Sequence, residues 1–482
     1  MRMFSFVTLL GTVAAFGSCT FKEAAQTNAI HLGNGTGATY GGGFGGRGLL
    51  SGTGGSGPCM GLRCQQSGCV GAGCTVAACS GTDKTTVTGT VYDPAGKVPL
   101  YNVTVYVPNA PLAPLPEGAA CLLCDTALSG SPIVQANTDS AGHFVLEDVP
   151  SGANIPLVIQ VGKWRRQVTI PSVSPCMANA LSDPNLTRLP RNQSEGNLPR
   201  IAITTGALDA LECLLRKIGI DDSEFTMETG TGRVNLYSGG NTTNTQGIGT
   251  SQYAPTLNGG ATFTRAPGWW DDVNNLKPYD IVLHSCEGIP MSINKSPAAL
   301  QAFQDYANMG GRIFASHWHN YWLENPPNGP LRAVAAFHHL GDPASPFTST
   351  IDTGFPKGAD FAQWLLNVGA STTLGQLIIN GAKHTVDAVR GTSQRWIYAT
   401  NPDSVQYFSF NTPLDSAAPK CGKVVFSDLH VSSGSGMVGV DDLSKPEYPF
   451  PTGCVTTALS PQEKALEFML FDLSACLREG IP

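Results

Sequence analysis

The run TTVTGTVYDPAGKVPLYNVTVYVPNA alternates polar and apolar positions through Thr86, Val87, Thr88, Gly89, Thr90 and Val91, and resumes the alternation at Val103, Val105 and Val107. Between them lies the turn Asp93-Pro94-Ala95-Gly96. A period of two on both sides of a proline–glycine turn predicts half-buried strands. The pattern returns in QANTDSAGHFVLEDVPSG, with its turn at Asp139-Ser140-Ala141-Gly142, and in IPLVIQVGKWRRQVTIP. Short alternating strands punctuated by Gly and Pro predict an antiparallel β-sandwich over residues 85–175.

After the polar segment LTRLPRNQSEGNLP, read as a linker, the period changes. RIAITTG reads as a buried strand, and ALDALECLLRKIG places Leu208, Leu211, Leu215 and Ile218 at helical spacing, closed by Gly219. Strands RVNLYSG and YDIVLHSCEG, helix SPAALQAFQDYANMGG and strand RIFASHWHN follow. GKVVFSDLHVS is a further strand, and SPQEKALEFMLFDLSACL is a helix with a capping box from Ser460 to Glu463. This alternation predicts an α/β doubly wound, flavodoxin-like sheet over residues 199–482.

The N-terminal MRMFSFVTLLGTVAAFGSC has one basic residue, Arg2, an apolar run from Phe4 to Phe16, and Gly17 and Ser18 before Cys19. That is the layout of an export signal, too short to span a bilayer. It resembles the bacterial lipoprotein signal, which implies cleavage leaving Cys19 as the lipid-bearing first residue. The expectation is an exported protein, lipid-anchored at the outer membrane or cell surface, with the membrane as partner through the acyl chains. Residues 20–58 form a glycine-rich tether and residues 59–84 a cysteine-rich collar. A net charge of -7 without a basic run argues against nucleic acid as a partner.

In the collar, CMGLRCQQSGCVGAGCTVAAC places a cysteine at every fifth position from Cys59 to Cys79. Such a step keeps no common face in a helix or a strand, so the ladder reads as loop. Export favours disulfides over a thiolate metal cage. Of the 14 cysteines, setting aside Cys19 leaves an odd number, and Cys286 is the candidate for the unpaired one. The ladder's own count is odd too, so one member pairs elsewhere, with Cys121, Cys124 and Cys176 nearby. Cys213, Cys421, Cys454 and Cys476 could form pairs within the α/β half, the connectivity being open.

Two resemblances add to this. GTVYDPAGKVPLYNVTVYV followed by TDSAGHFVLEDVPSG resembles the carboxypeptidase regulatory-like, prealbumin-like family. The resemblance implies a noncatalytic module for folding, attachment or carbohydrate contact. LQAFQDYANMGGRIFASHWHNYW and KVVFSDLHVS resemble the class I glutamine amidotransferase-like superfamily, in its ThuA-related branch, with an insertion near residues 326–419. In amidotransferases a cysteine occupies the turn after the GGRIFA-like strand, and a late histidine is the base. Those positions fall here on His317 and His430. With imidazole in place of the thiol, glutamine amidotransferase activity is not expected.

Working residues of open parallel sheets lie beyond the carboxyl ends of the strands. Three strand ends carry polar clusters: His284, Ser285, Cys286 and Glu287; Ser316, His317, Trp318 and His319; Ser427, Asp428 and His430. As catalytic candidates these give His317, His430, Cys286 and Glu287. As a set for zinc or another divalent ion they give His284, His317, His319, His430 and Asp428. Loop hydrogen bonding by the same histidines stays open beside the metal. His338 and His339, in the insertion, read as a solvated helix end. Trp269, Trp270, Trp318, Tyr321 and Trp322 suit stacking on a glycan, with core packing as the competing account.

The resulting expectation is an envelope-anchored lipoprotein that binds carbohydrate or another envelope component through a catalytically degenerate domain. The alternatives are a sugar-modifying hydrolase or metal-dependent enzyme using the histidine rim, and a purely structural surface protein. Peptide mass mapping of the unreduced protein is expected to show a ladder cysteine bridged to the sandwich; five free or zinc-bound ladder thiols would contradict the collar.

Overall fold

The computed structural model describes residues 76–241, 247–325, 329–339, 341–415, 417–431 and 444–478. Cys19, the tether and the ladder cysteines before Cys79 lie outside the described residues. The described chain is mostly β, with some helices.

One three-stranded sheet places Thr86–Thr90 between His143–Leu146, antiparallel, and Ala178–Leu181, parallel. A four-stranded antiparallel sheet has the order Pro132–Asn137, Thr104–Pro108, Gly152–Val161, Trp164–Val173. Val87, Val105, Phe144, Leu157 and Ile159 are buried in a common core, as their alternation requires. The Asp93 turn is closed by its own carboxylate, which accepts the backbone N–H groups of Lys97 at 2.7 Å and Val98 at 3.2 Å.

The second sheet has a parallel half with strands in the order Val234–Ser238, Ile201–Thr205, Ile281–His284, Arg312–Ser316, Gly422–Ser427. By chain order this is 2-1-3-4-5, an order whose ligands lie at the carboxyl rim. Its residues alternate between two apolar layers. Ile201, Ile203, Leu283, Phe314 and Val425 face the helices Leu211–Lys217 and Pro461–Ser474. Ala202, Val282, Ile313, Ala315 and Val424 face helix Pro297–Asn308. The predicted capping box is formed, with Ser460 Oγ accepting the Glu463 N–H at 3.2 Å and the Glu463 carboxylate accepting the Ser460 N–H at 2.8 Å.

Two features differ from the sequence reading. The insertion extends the same sheet: Asp403–Thr412 pairs antiparallel with Gly422–Ser427, followed outward by Gln394–Thr400, Phe347–Ile351 and Gln376–Ile379. The helix expected from Ala207 begins at Leu211, because Asp209 takes a left-handed backbone conformation (φ 58°) that a helix cannot contain.

The two halves share one core. Trp164 meets Phe471 edge-on, Tyr101 stacks on Phe468, and Trp364 Nε1 donates to Pro99 O at 2.8 Å. The polar run read as a linker is itself packed: Leu189 and Leu198 are buried, and Arg165 N–H bonds Asn197 O at 3.0 Å. Disulfide pairing corrects the expectation for this junction. Cys121–Cys421 and Cys124–Cys476 cross from a sandwich loop to the α/β half, so Cys421 and Cys476 do not pair within it. Among the described residues only Cys213–Cys454 closes inside that half, and Cys79, last of the ladder, bridges to Cys176. Cys176 lies between strands of the sandwich rather than after it, because Ala178–Leu181 returns to the first sheet. Several disulfides indicate an extracytoplasmic protein. No helix among the described residues is long and apolar enough to cross a membrane.

Glu467, on helix Pro461–Ser474, is fully buried at this junction, and neither carboxylate oxygen has a hydrogen-bond partner. Burial, reinforced by nearby Asp93, holds its carboxyl well above the usual range. A folded pKa above the unfolded one means that its full contribution is present below the unfolded pKa and is lost as pH rises. Glu467→Gln is therefore expected to stabilise the neutral-pH protein by roughly 1–3 kcal/mol, with the advantage vanishing near about pH 4. Denaturant titration at both pH values checks this, and an unchanged or lower midpoint at neutral pH would contradict it.

Candidate functional site

Four neighbouring parallel strands deliver polar groups to one carboxyl rim. The strand Ile201–Thr205 leads to Asp209, Ile281–His284 to Cys286, Arg312–Ser316 to His317, and Gly422–Ser427 to His430. The loops can approach because residue 206 is glycine: a Cβ there would lie 2.2 Å from Cys286 O. The same carbonyl accepts the Leu208 N–H at 3.0 Å, fixing the Asp209 turn.

Asp209 is the hub. Its Oδ2 accepts His430 Nδ1–H at 2.8 Å and Ser316 Oγ–H, and its Oδ1 accepts the Val431 N–H at 2.7 Å. Burial opposes its charge, but the His430 ring and these donors hold the carboxyl below the usual range. A carboxylate only accepts, so His430 carries its proton on Nδ1. Its Nε2 is buried and without a hydrogen-bond partner.

His317 opens the turn after its strand with φ 33°, a strained conformation for a non-glycine residue. Its Nδ1 lies 3.5 Å from Cys286 Sγ, and its ring meets that of His430 edge-on at 5.1 Å. Burial lowers its pKa well below the usual histidine value, with the His430, Lys383 and His339 charges adding to the effect. Cys286 is unpaired and buried. Its sulfur accepts backbone N–H bonds from Gly288, at 3.4 Å, and from Trp318. One donor atom each from Cys286, His317 and His430 lie within 4.8 Å of one another.

The remaining candidates fall elsewhere. His284 is still inside its strand and points to the layer of Val282, beside Phe303, Trp270 and Trp322. Its Nδ1 pairs with Thr204 Oγ1 at 2.9 Å, and burial pulls its pKa to about 3. His319 uses both nitrogens, Nε2–H donating to Ser285 O at 2.9 Å and Nδ1 accepting from Trp322 Nε1 at 2.8 Å, so no lone pair is left for an ion. Glu287 is fully buried against Lys295, 2.5 Å away, beneath the same aromatics. Asp428 accepts from Thr385 N at 2.8 Å and Oγ1 at 2.7 Å, anchoring the insertion, and burial raises it to about 6.

The aromatic set also divides. Trp270 and Trp322 are buried, Trp270 with its Nε1 donating to Asn294 O at 3.0 Å, so neither presents a face to a ligand. Trp269 is half-buried and stacked on Tyr237 at 3.8 Å. Trp318 and Tyr321 are half-exposed. Trp318 lies beside His317, with the His339 ring parallel to it at 6.2 Å. His339, exposed after the short strand Ala335–Phe337 rather than at a helix end, pairs with Glu324 at 3.1 Å.

Asp209 was not singled out from the sequence, because GALDALECLL reads as one helix. Its position just past a buried strand was the available signal.

No protein-family model matches the chain, and no curated protein matches it. Among solved structures it is similar to a type II cohesin–X-dockerin complex from Acetivibrio cellulolyticus, at 17% identity over 30% of this chain and 75% of that one, with a TM-score of 0.15. A second interface mutant of that complex gives 18% identity, 28% and 85% coverage and a TM-score of 0.16. A ThuA-like protein from Bacteroides uniformis gives 11% identity over 40% of this chain and 80% of that one, with a TM-score of 0.25. Likeness of this degree decides nothing about what the chain does.

Proposed function

We propose that this chain is an exported, lipid-anchored envelope protein that acts on or holds carbohydrate at a zinc-class metal centre formed by Cys286, His317 and His430. The carrying observation is the convergence of three donor atoms within 4.8 Å, all buried. The donor set, one sulfur and two imidazoles, fits a borderline-soft divalent ion. The orphaned Nε2 of His430 supports the fit, since a buried polar atom without a partner calls for one.

Each residue has a task in this reading. Asp209 fixes the His430 tautomer and ring orientation, the role carboxylates play behind metal-bound histidine. Burial keeps His317 neutral and therefore able to donate a lone pair. The Gly288 and Trp318 N–H groups favour charge on the Cys286 sulfur. Bound there, an ion would supply a Lewis acid and an activated water. Trp318, backed by His339, offers a flat face beside the centre for a sugar ring. A simple cysteine nucleophile is disfavoured, because burial pushes the Cys286 thiol far above its usual pKa.

Elemental analysis of the purified chain is expected to find a stoichiometric zinc-class ion, lost in the His317→Ala, His430→Ala double variant. Asp209→Asn is expected to weaken metal affinity by about 10–100-fold, read by competition with a chelator. Protein that takes up neither zinc nor cobalt after dialysis would overturn the centre. On a glycan array, Trp318→Ala is expected to lose binding while keeping its metal; wild-type protein that binds no glycan would overturn the carbohydrate part alone.

A further inference from the structure

Where the sandwich meets the end of helix Leu211–Lys217, the described residues border a cleft of about 470 Å³. Small-molecule sites span roughly 300–1,000 Å³, so the space is of ligand size. Gly219 lets the two halves approach there: at φ 100°, a Cβ on it would lie 2.3 Å from Ala95 N, and Ala95 N–H donates to Ile218 O at 2.8 Å. Cys286, His317 and His430 do not line this space.

Most of the charged lining is cationic. Lys97 comes from the sandwich, Arg191 from the connecting segment, Arg216 from the helix end and Lys464 from helix Pro461–Ser474. Arg191 pairs with Asp221 through Nη2 at 2.9 Å and donates from Nε to Gly219 O at 3.3 Å. Arg216 grips Asp222 through Nε and Nη2, at 2.5 and 3.0 Å. These contacts hold both guanidinium groups in place and leave each an uncommitted Nη1. Lys464 gives one proton to Val368 O at 2.6 Å, and Lys97 is exposed, with no carboxylate pair among the described residues.

The acids nearby do not cancel this charge. Asp221 and Asp222 answer the two arginines, Glu463 answers Lys217, and Glu467 is held uncharged by burial. Behind the Asp93 turn, Arg188 and Arg166 are balanced by Glu195 and Asp183. Asp93 alone is left to face both Lys97 and Lys464, and it is the one acid among the described lining residues. Its Oδ1 already accepts the Lys97 and Val98 N–H groups, so Oδ2 is the acceptor left for a ligand. Thr456 and Thr457 add exposed hydroxyls, and Val98 and Leu459 add apolar surface.

We propose that this cleft binds an acidic sugar of the hexuronate class, its carboxylate received by Arg191, Arg216 and Lys97 and a ring hydroxyl donated to Asp93. A bare anion would use only the cations, and a neutral sugar only the hydroxyl and apolar contacts; a sugar acid uses both. The site is separate from the Cys286 centre and does not depend on it.

Ligand-observed NMR titration of the full chain with D-glucuronate tests this, with a chelator present so that no metal contributes. Glucuronate is expected to bind about tenfold more tightly than glucose, or better, and its affinity is expected to fall as salt rises. Lys97→Glu, an exposed change that leaves the ion pairs in place, is expected to weaken glucuronate by about tenfold without lowering glucose binding. Should the variant fail to fold, the comparison of glucuronate with glucose on the native chain still decides. No binding of glucuronate, glucose binding as tightly, acetate displacing glucuronate at equal concentration, or a folded Lys97→Glu chain with native affinity would overturn the proposal.

Discussion

The Asp209 carboxylate is the point on which the rim depends. Buried without donors it would be costly; with His430, Ser316 and the Val431 N–H around it, the charge is held and three chain segments are locked together. Ser316 ends the strand Arg312–Ser316 and immediately precedes His317, so the same carboxylate fixes the start of that turn and the direction of the His430 ring. The left-handed backbone at Asp209 and His317 is the strain that this network sustains.

A second constraint comes from the junction of the two halves. The sandwich supplies Tyr101 and Trp164 to an apolar layer whose other side is helix Pro461–Ser474, and that helix also covers the sheet beneath the rim. Two disulfides and the buried Lys163–Asp280 ion pair reinforce the contact. The sandwich therefore forms part of the support for the α/β half, and the two share a core that neither closes alone.

Much of the rim was legible. His317, His430 and Cys286 each come just after an apolar run that could only be a buried strand, and parallel sheets carry their working residues immediately beyond the carboxyl ends of such strands. Direction was harder to separate from sequence. His284 stands two residues before Cys286, yet it is the last residue of its strand and the chain leaves the strand before Cys286, so the two side chains do not share a face; Trp322 lies five residues after His317 but folds back onto Phe303. Asp209 was hidden because Leu208, Leu211 and Leu215 keep helical spacing across a turn that is not helical. The insertion was hidden because its longest strand, Asp403–Thr412, is buried on both faces and shows no alternation to mark its antiparallel pairing. The partners of Cys121 and Cys124 lie at sequence separations of 300 and 352, and no local pattern encodes such a pairing.

The central claim is that Cys286, His317 and His430 act together as the ligands of one ion. X-ray absorption spectroscopy at the zinc edge, on the full chain as purified or after zinc loading, reads those ligands directly. The account predicts a first shell of a single sulfur and two imidazole nitrogens with one lighter atom, and loss of the sulfur contribution alone in Cys286→Ser. A shell without sulfur, or one unchanged by that substitution, would contradict it.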